Sequence, residues 1–102
     1  MPTVWVPSLL RPLCGGATTL QVEGQTLGEV LRAADARCPG FFERVVQDGA
    51  VRPELAVAIN GQAENYPLHE PVGDSAEVAI LPAIGGGGFS NFEPRERRPA
   101  GG

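Results

Sequence analysis

The strongest pattern of apolar and polar positions in the chain predicts an α-helix over residues 27–38. Four apolar residues recur at the three- and four-residue spacing of one helix face: Leu27, Val30, Leu31 and Ala34. Thr26 and Glu29 form a capping box, in which the hydroxyl accepts one amide N–H and the carboxylate reaches back to another. Pro39-Gly40 predicts that the helix ends after Cys38. We therefore expect one main helix whose apolar stripe packs across a sheet.

Short apolar and β-branched runs on either side of this helix predict the strands. The runs are Thr3–Val6, Thr18–Val22, Leu55–Ile59, Gln62–Asn65 and Glu77–Leu81. The first two should pair antiparallel across a longer loop, and the third should be central. Asn60-Gly61 predicts a type I′ turn between the third and fourth runs.

The segments between the strands carry weaker signals. Residues 41–46 predict a short helical turn and residues 47–54 a loop, while Gly73-Asp74 predicts a turn before the last strand. Pro82 should end that strand because proline cannot donate to a strand ladder. The order of elements predicts an α+β roll, with a mixed sheet of four to five strands packed on one main helix.

The first strand should hold one large aromatic side chain away from the core. Val4 and Val6 alternate with Trp5, so the valines should face the helix and the indole should face out from an outer strand. An exposed indole can anchor a partner protein. The alternative is that Trp5 packs under residues 9–16 or under the C-terminal tail.

Charge and composition narrow the functional classes. The formal net charge is −4 and all eight basic residues are arginine, five of them before Phe89 against ten acidic residues, so no basic patch for nucleic acid is visible. No apolar run reaches membrane-spanning length and no secretory pattern opens the chain, so we expect a cytoplasmic protein. Cys14 and Cys38 are too few to predict a disulfide framework or a metal site, and His69 has no neighbouring catalytic pattern.

The composition changes abruptly after the last strand. Ile84 leads into four consecutive glycines, Gly85 to Gly88, which lack a Cβ and should form a flexible arm thin enough to enter a narrow channel. A plain flexible linker is the alternative. The fourteen residues from Phe89 onward are polar, charged and chain-breaking, and we expect them to be disordered. The chain thus divides into a folded domain (1–84), a glycine arm (85–88) and a tail (89–102).

Several motifs, taken in order, resemble the ubiquitin-like sulfur carriers of bacteria. The motifs are Val6–Pro12, Gly15-Gly16, Gly24–Val30, Val57–Gly61, and Gly73-Asp74 leading into Val78–Ile84. The likeness covers residues 3–88 and is greatest to the carrier of thiocarboxylate-dependent cysteine biosynthesis. It implies a ubiquitin-like β-grasp fold.

The resemblance also implies a chemistry. In this family an adenylating enzyme uses ATP to activate the last glycine, and sulfur then replaces AMP to give a thiocarboxylate that a sulfur-accepting synthase consumes. Aligned from the motif that ends at Ile84, the family's glycine pair falls on Gly86-Gly87, so the resemblance implies that Gly87 or Gly88 carries the sulfur. The carrier is a co-substrate rather than an enzyme, and it binds no cofactor or metal. Trp5, Ile84 and Phe89 are the residues expected to contact its partners.

Two features depart from the family pattern and keep alternatives open. Family members end at a single glycine pair, whereas this chain has four glycines followed by fourteen residues, so we expect a metalloprotease to remove the tail. The terminal Gly101-Gly102 pair is an alternative working end. The competing classes are a protein modifier that forms isopeptide bonds and a ubiquitin-like binding or regulatory module without terminal chemistry. If the protein is a sulfur carrier, the acceptor of its sulfur could belong to cysteine, cofactor or natural-product biosynthesis.

Overall fold

The computed structural model describes residues 1–83, in which seven strands, two α-helices and one 3₁₀ helix are present. The strands are β1 (Thr3–Trp5), β2 (Thr19–Gln21), β3 (Val46–Gln47), β4 (Ala50–Val51), β5 (Leu55–Ile59), β6 (Gln62–Glu64) and β7 (Glu77–Pro82). The helices are the 3₁₀ helix (Ser8–Cys14), α1 (Leu27–Arg37) and α2 (Phe41–Val45). The predicted glycine arm and tail lie outside the described residues.

Within residues 1–83, five strands form one mixed sheet in the order β2-β1-β7-β5-β6. β1 and β7 run parallel, with Trp5 opposite Ala79, and the other neighbouring pairs of this sheet are antiparallel. The expected α+β roll is therefore confirmed. Two strand positions differ from the prediction: β1 is an inner strand because β7 pairs with its second edge, and β7 rather than β5 lies at the centre. Both follow from pairing between the two ends of the domain, which no local pattern reports.

Helix α1 buries its apolar stripe against this sheet. The four predicted stripe residues, Leu27, Val30, Leu31 and Ala34, are all fully buried. Val4 and Val78 meet them from the central strands and are equally inaccessible to solvent. Fully burying one such aliphatic side chain contributes about 1.5–3 kcal/mol. The stripe and the inward sheet residues therefore account for the position of α1 across the sheet.

The start of α1 has the predicted capping box, with one difference. Thr26 Oγ1 accepts the N–H of Glu29 at 3.2 Å, as expected. The Glu29 carboxylate reaches back to the N–H of Gln25 at 2.8 Å, one residue before the cap itself. Two amide groups that the helix cannot satisfy internally are thus paired, which accounts for the sharp start of α1.

The turn between β5 and β6 also follows the prediction. Asn60 and Gly61 have φ angles of 52° and 84°, the left-handed pair that a type I′ turn requires. Asn60 Oδ1 additionally accepts the N–H of Glu77 at 2.9 Å. The turn residue therefore fixes this hairpin to the first residue of the central strand.

Three local predictions are corrected. The predicted loop at 47–54 contains a short hairpin, β3–β4, whose Asp48-Gly49 turn has φ angles of 54° and 78°; its two-residue strands are too short to show any periodicity. The loop after β1 contains the 3₁₀ helix, in which the N–H of Leu10 donates to the carbonyl of Pro7 at 2.9 Å. Strand β7 continues through Pro82, because its last pairing position needs no N–H from that residue.

The two cysteines are joined in a disulfide, which the cysteine count did not predict. Cys14 ends the 3₁₀ helix and Cys38 follows the last residue of α1, 24 positions later in sequence, and their Cα atoms lie 4.8 Å apart. Two cysteines alone provide no spacing pattern. It is the packing of α1 beside the β1–β2 connection that brings them together.

Candidate functional site at the end of the central strand

The arm predicted to carry the chemistry begins where the central strand β7 ends. Ala83, the last described residue, donates its N–H to the carbonyl of Glu54 at 2.9 Å. Because β1 runs parallel to β7 and β5 runs antiparallel to it, the last residues of β1 and the first residues of β5 lie at the same end of the sheet as the last residues of β7. We call this end of the sheet the arm end; it comprises Trp5–Cys14, Arg52–Leu55 and Leu81–Ala83.

Arg52 fixes the backbone segment to which the end of β7 is hydrogen-bonded. Its main-chain N–H donates to the carbonyl of Val45 at 2.8 Å. Its Nε and Nη2 donate to the carbonyl of Glu43 at 3.0 and 2.8 Å, and its Nη1 donates to Gln47 Oε1 at 3.2 Å. Nη1 also lies 3.9 Å from the carboxylate of Glu54, an exposed pair that contributes little on its own. Arg52 is thus a positioning residue, and no sequence motif pointed to it.

The sheet face opposite α1 carries a shallow apolar surface around Trp5. The Trp5 side chain is 45% exposed, and its neighbour across β7 is Ala79, which is paired in turn with Ala58 on β5. These small side chains leave the indole uncovered. Leu81, two residues further toward the arm end, is 37% exposed. The predicted outward orientation of Trp5 is confirmed, and its role in partner binding stays a prediction.

A groove of about 340 Å³ adjoins the start of β5. Its walls are formed by Ala50–Pro53, Leu55–Val57 and Glu64–Pro67. Tyr66 donates its hydroxyl to the carbonyl of Gln62 at 2.7 Å. Partial burial, and then the negative charges of Glu64 and Glu70, raise the pKa of Tyr66 above its ordinary value. The phenol is protonated at neutral pH and acts in this groove as a hydrogen-bond donor.

Most of the sequence-predicted site lies beyond the described residues. The positions concerned are Ile84, Gly85–Gly88, Phe89 and Gly101-Gly102, whose chemistry stays a prediction. His69 is exposed, consistent with the surface position expected for it. Phe41 is fully buried, and Phe42 lies at the helix edge with the Arg32 guanidinium 4.3 Å from its ring centroid. Among residues 1–83, no helix combines the length and apolar character needed to cross a membrane.

Comparison with known proteins identifies the family of this domain. The sequence profile of the ThiS family matches residues 4–87, which include α1, every sheet residue except Thr3, and the sequence of the arm as far as Gly87. The chain belongs to the ThiS family. The recognition of a ubiquitin-like sulfur carrier from its motifs is therefore confirmed, as is the β-grasp fold.

Individual ThiS-family relatives and structures show how far the likeness extends. Sulfur carrier protein CysO of Mycobacterium tuberculosis is 31% identical over 90 residues, which cover 83% of this chain and 97% of that protein. Small archaeal modifier protein 3 of Haloferax volcanii is 31% identical over 64 residues, covering 61% of this chain and 70% of that protein. The crystal structure of the Amycolatopsis orientalis BexX/CysO complex contains a chain that matches with a TM-score of 0.78 and 28% identity, covering 85% of this chain and 100% of that one.

Proposed function

We propose that this protein is a sulfur carrier whose reactive group is the carboxylate of Gly87 or Gly88, exposed by removal of residues 89–102. The observation that carries the proposal is the position of the arm: it continues from the central strand of a five-stranded sheet, whose end at Ala83 is hydrogen-bonded to Glu54. The match of the ThiS profile ends at Gly87, which supports that glycine. In this proposal the carrier binds no cofactor, and ATP is bound by the activating enzyme.

The proposed chemistry needs activation because a carboxylate is a poor acyl donor. An adenylating enzyme transfers AMP from ATP to the glycine carboxylate and releases pyrophosphate. A sulfide equivalent then attacks the acyl carbon, AMP leaves, and a thiocarboxylate remains. A second enzyme directs this sulfur nucleophile to an electrophilic carbon; the likeness to the cysteine-biosynthesis carrier favours an activated serine. The bonds that form and break on the carrier are all at the carboxyl group of its terminal glycine; the folded domain holds the arm and provides docking surfaces.

The reach of the chain explains why the tail must be removed. An extended chain spans about 3.3–3.6 Å per residue, so Gly87, four residues beyond Ala83, lies at most about 14 Å from the folded domain. Gly102 is nineteen residues beyond Ala83 and can lie up to about 65 Å away. An enzyme that contacts the folded domain and the reactive carboxylate at the same time is easier to reconcile with the shorter distance, from Ala83 to Gly87. We therefore propose that a metalloprotease cleaves at Gly87–Gly88 or Gly88–Phe89.

The test compares chains that end at Gly87, Gly88 and Gly102. Each is incubated with the adenylating enzyme of the native host, ATP and sulfide, and intact mass identifies the acyl-adenylate and then the exchange of one oxygen for sulfur. We expect modification of the two truncated chains only. Gly87→Val in the chain ending at Gly88 is the matched control, because it keeps the carboxylate but places a side chain in the arm. Equal activation of the full chain would move the working end to Gly102, and activation of none would favour a binding module without terminal chemistry.

The similarity to an archaeal modifier protein favours a second candidate function, attachment of this protein to other proteins. The same activated glycine would then form an isopeptide bond with a target lysine. This chain contains no lysine, so its own side chains cannot receive such a bond. Immunoblots of native cells should then show single conjugates and no evenly spaced ladder. Thiocarboxylate without any conjugate would rule the modifier function out.

A further inference from the structure

The Cys14–Cys38 disulfide lies at the arm end, although the proposed chemistry does not use it. β1 and β7 are parallel, so the 3₁₀ helix that follows β1 starts at the same sheet edge from which the arm leaves. Cys14 is the last residue of this helix, and the bond connects it to Cys38 at the end of α1. The disulfide therefore joins the main helix of the domain to a surface loop of the arm end.

Apart from the disulfide, the β1–β2 connection is held to the domain by non-covalent contacts, among them the partly buried Leu13 and Ala17 against the core. Between Pro7 and Thr18, Leu10 is the one side chain in the buried core, whereas Leu9 is 83% exposed. The Arg11 side chain bonds within the same segment, donating through Nε to the carbonyl of Val6 at 3.1 Å. The disulfide adds a covalent attachment of this connection, and with it Leu9, to the end of α1.

The two halves of the bond differ in exposure. Cys38 is 1% exposed, whereas Cys14 is only half-buried, so a reductant reaches the bond from the Cys14 side. A thiolate of a dithiol reductant attacks the Cys14 sulfur, the S–S bond breaks, and Cys38 leaves as a thiolate. The second thiol of the reductant then displaces Cys14 and closes the reductant's own disulfide, so that two electrons and two protons pass to the carrier. The chain contains two cysteines, so no alternative pairing competes.

We propose that the Cys14–Cys38 pair is a redox switch of partner docking, opened by a dithiol reductant. In the oxidised form the connection is fixed to α1 and presents Leu9 at the arm end, in the same connection that begins after the exposed Trp5. In the reduced form the 3₁₀ segment moves independently of α1, while the sheet and the buried stripe of α1 keep the domain folded. The effect on docking rests on the proposed carrier function, whereas the switch itself does not.

Hydrogen exchange tests the switch without any partner. The full-length protein is analysed oxidised and after treatment with dithiothreitol, and alkylation followed by mass spectrometry counts the free thiols. We expect two alkylated cysteines, an unchanged circular dichroism spectrum, and exchange at residues 8–17 that is faster by about tenfold or more, with residues 55–64 unaffected. Reoxidation should restore the slow exchange. A bond that resists the dithiol in the folded protein, global unfolding on reduction, or unchanged exchange at residues 8–17 would overturn the switch.

Cysteine variants separate the switch from its effect on docking. Cys14→Ser mimics the reduced state, and the double variant Cys14→Ala with Cys38→Ala serves where a buried thiol impairs folding. In the chain ending at Gly88, reduction should weaken binding to the adenylating enzyme by about fivefold or more, and the variants should bind equally weakly under both conditions. Unchanged affinity together with faster exchange would overturn the docking role alone. If no adenylating enzyme binds any form, the carrier proposal fails, while thiol counting and exchange still decide the switch.

Discussion

Asp35 provides a sharp test of how the corner between the two α-helices is held. Its Oδ1 accepts the N–H of Gly40 at 3.1 Å and the N–H of Phe42 at 3.0 Å. Gly40, the residue that precedes α2, has no side chain to cap that helix, so Asp35 supplies the missing acceptor from α1. Asp35→Ala removes both bonds at once and leaves two amide groups of the first turn of α2 without a protein partner.

The size of this effect follows from the geometry. A hydrogen bond to a charged acceptor contributes about 1.5–3 kcal/mol to stability when it is well shielded from water. Because this site is only half-buried, we assign the two bonds together about 2.5 kcal/mol of the free energy of unfolding. Alanine's higher helix propensity within α1 restores roughly 0.5 kcal/mol. The expected net loss is about 2 kcal/mol, and at about 4–8 °C per kcal/mol for a domain of this size the Tm should fall by about 8–16 °C.

Urea and thermal unfolding followed by circular dichroism measure this loss. Asp35→Asn keeps one acceptor oxygen without the charge and should lose about half as much free energy of unfolding. Glu23→Ala removes an exposed carboxylate and should change the free energy by less than about 0.5 kcal/mol. If Asp35→Ala proves as stable as Glu23→Ala, the two hydrogen bonds do not hold the corner and the reasoning is wrong.

Three further predictions use the sheet face, the groove and the entry to α1. Trp5→Ala should weaken binding to the activating or accepting enzyme by about tenfold or more while the domain stays folded, since the indole is 45% exposed and lies outside the main core; normal binding would exclude docking through the indole. Tyr66 is the single tyrosine, so phenolate absorbance reports its pKa, which should exceed the ordinary 10.0 mainly through burial and should drop in Glu64→Gln. Because the folded-state pKa is the higher one, its contribution to stability is complete below about pH 10 and is lost as pH rises through the folded pKa. A Cβ at Gly24 would lie 2.8 Å from a backbone nitrogen of α1, so Gly24→Ala should cost about 1–3 kcal/mol in urea unfolding, whereas Gly73→Ala, with nothing within 4 Å, should cost little.

The sequence predicted those parts of the fold that depend on neighbouring residues. The α1 stripe, its Thr26 cap and the Asn60-Gly61 turn each have a local physical cause, and all three are present. The positions of β1 and β7 could not be predicted in the same way, because their parallel pairing joins residues more than seventy positions apart. The Cys14–Cys38 bond belongs to the same class, since it depends on where α1 ends relative to the β1–β2 connection.

The candidate site divides along the same line. The chemistry was inferred from a resemblance and from a run of glycines, and those positions lie beyond Ala83. The residues that surround the origin of the arm carried no motif. Arg52 was missed because its contribution is a set of bonds to main-chain and amide oxygens around the β3–β4 hairpin, and that hairpin was itself predicted to be a loop. A positioning residue of this kind becomes visible only once the backbone it organises is known.

The arrangement of the arm end is what a carrier of a reactive terminus requires. The arm must be free at its tip and fixed at its origin, because an enzyme that contacts the domain locates the carboxylate only if the two have a defined relation. β7 meets the second condition: it is paired on both sides, its Val78 and Ile80 are buried, and its end is bonded to the segment that Arg52 holds. The exposed Trp5 and Leu9 both belong to the arm end, so a partner that binds there also lies next to the origin of the arm. In the proposed function we therefore expect Trp5→Ala to impair docking alone and a side chain in the glycine arm to impair the chemistry alone.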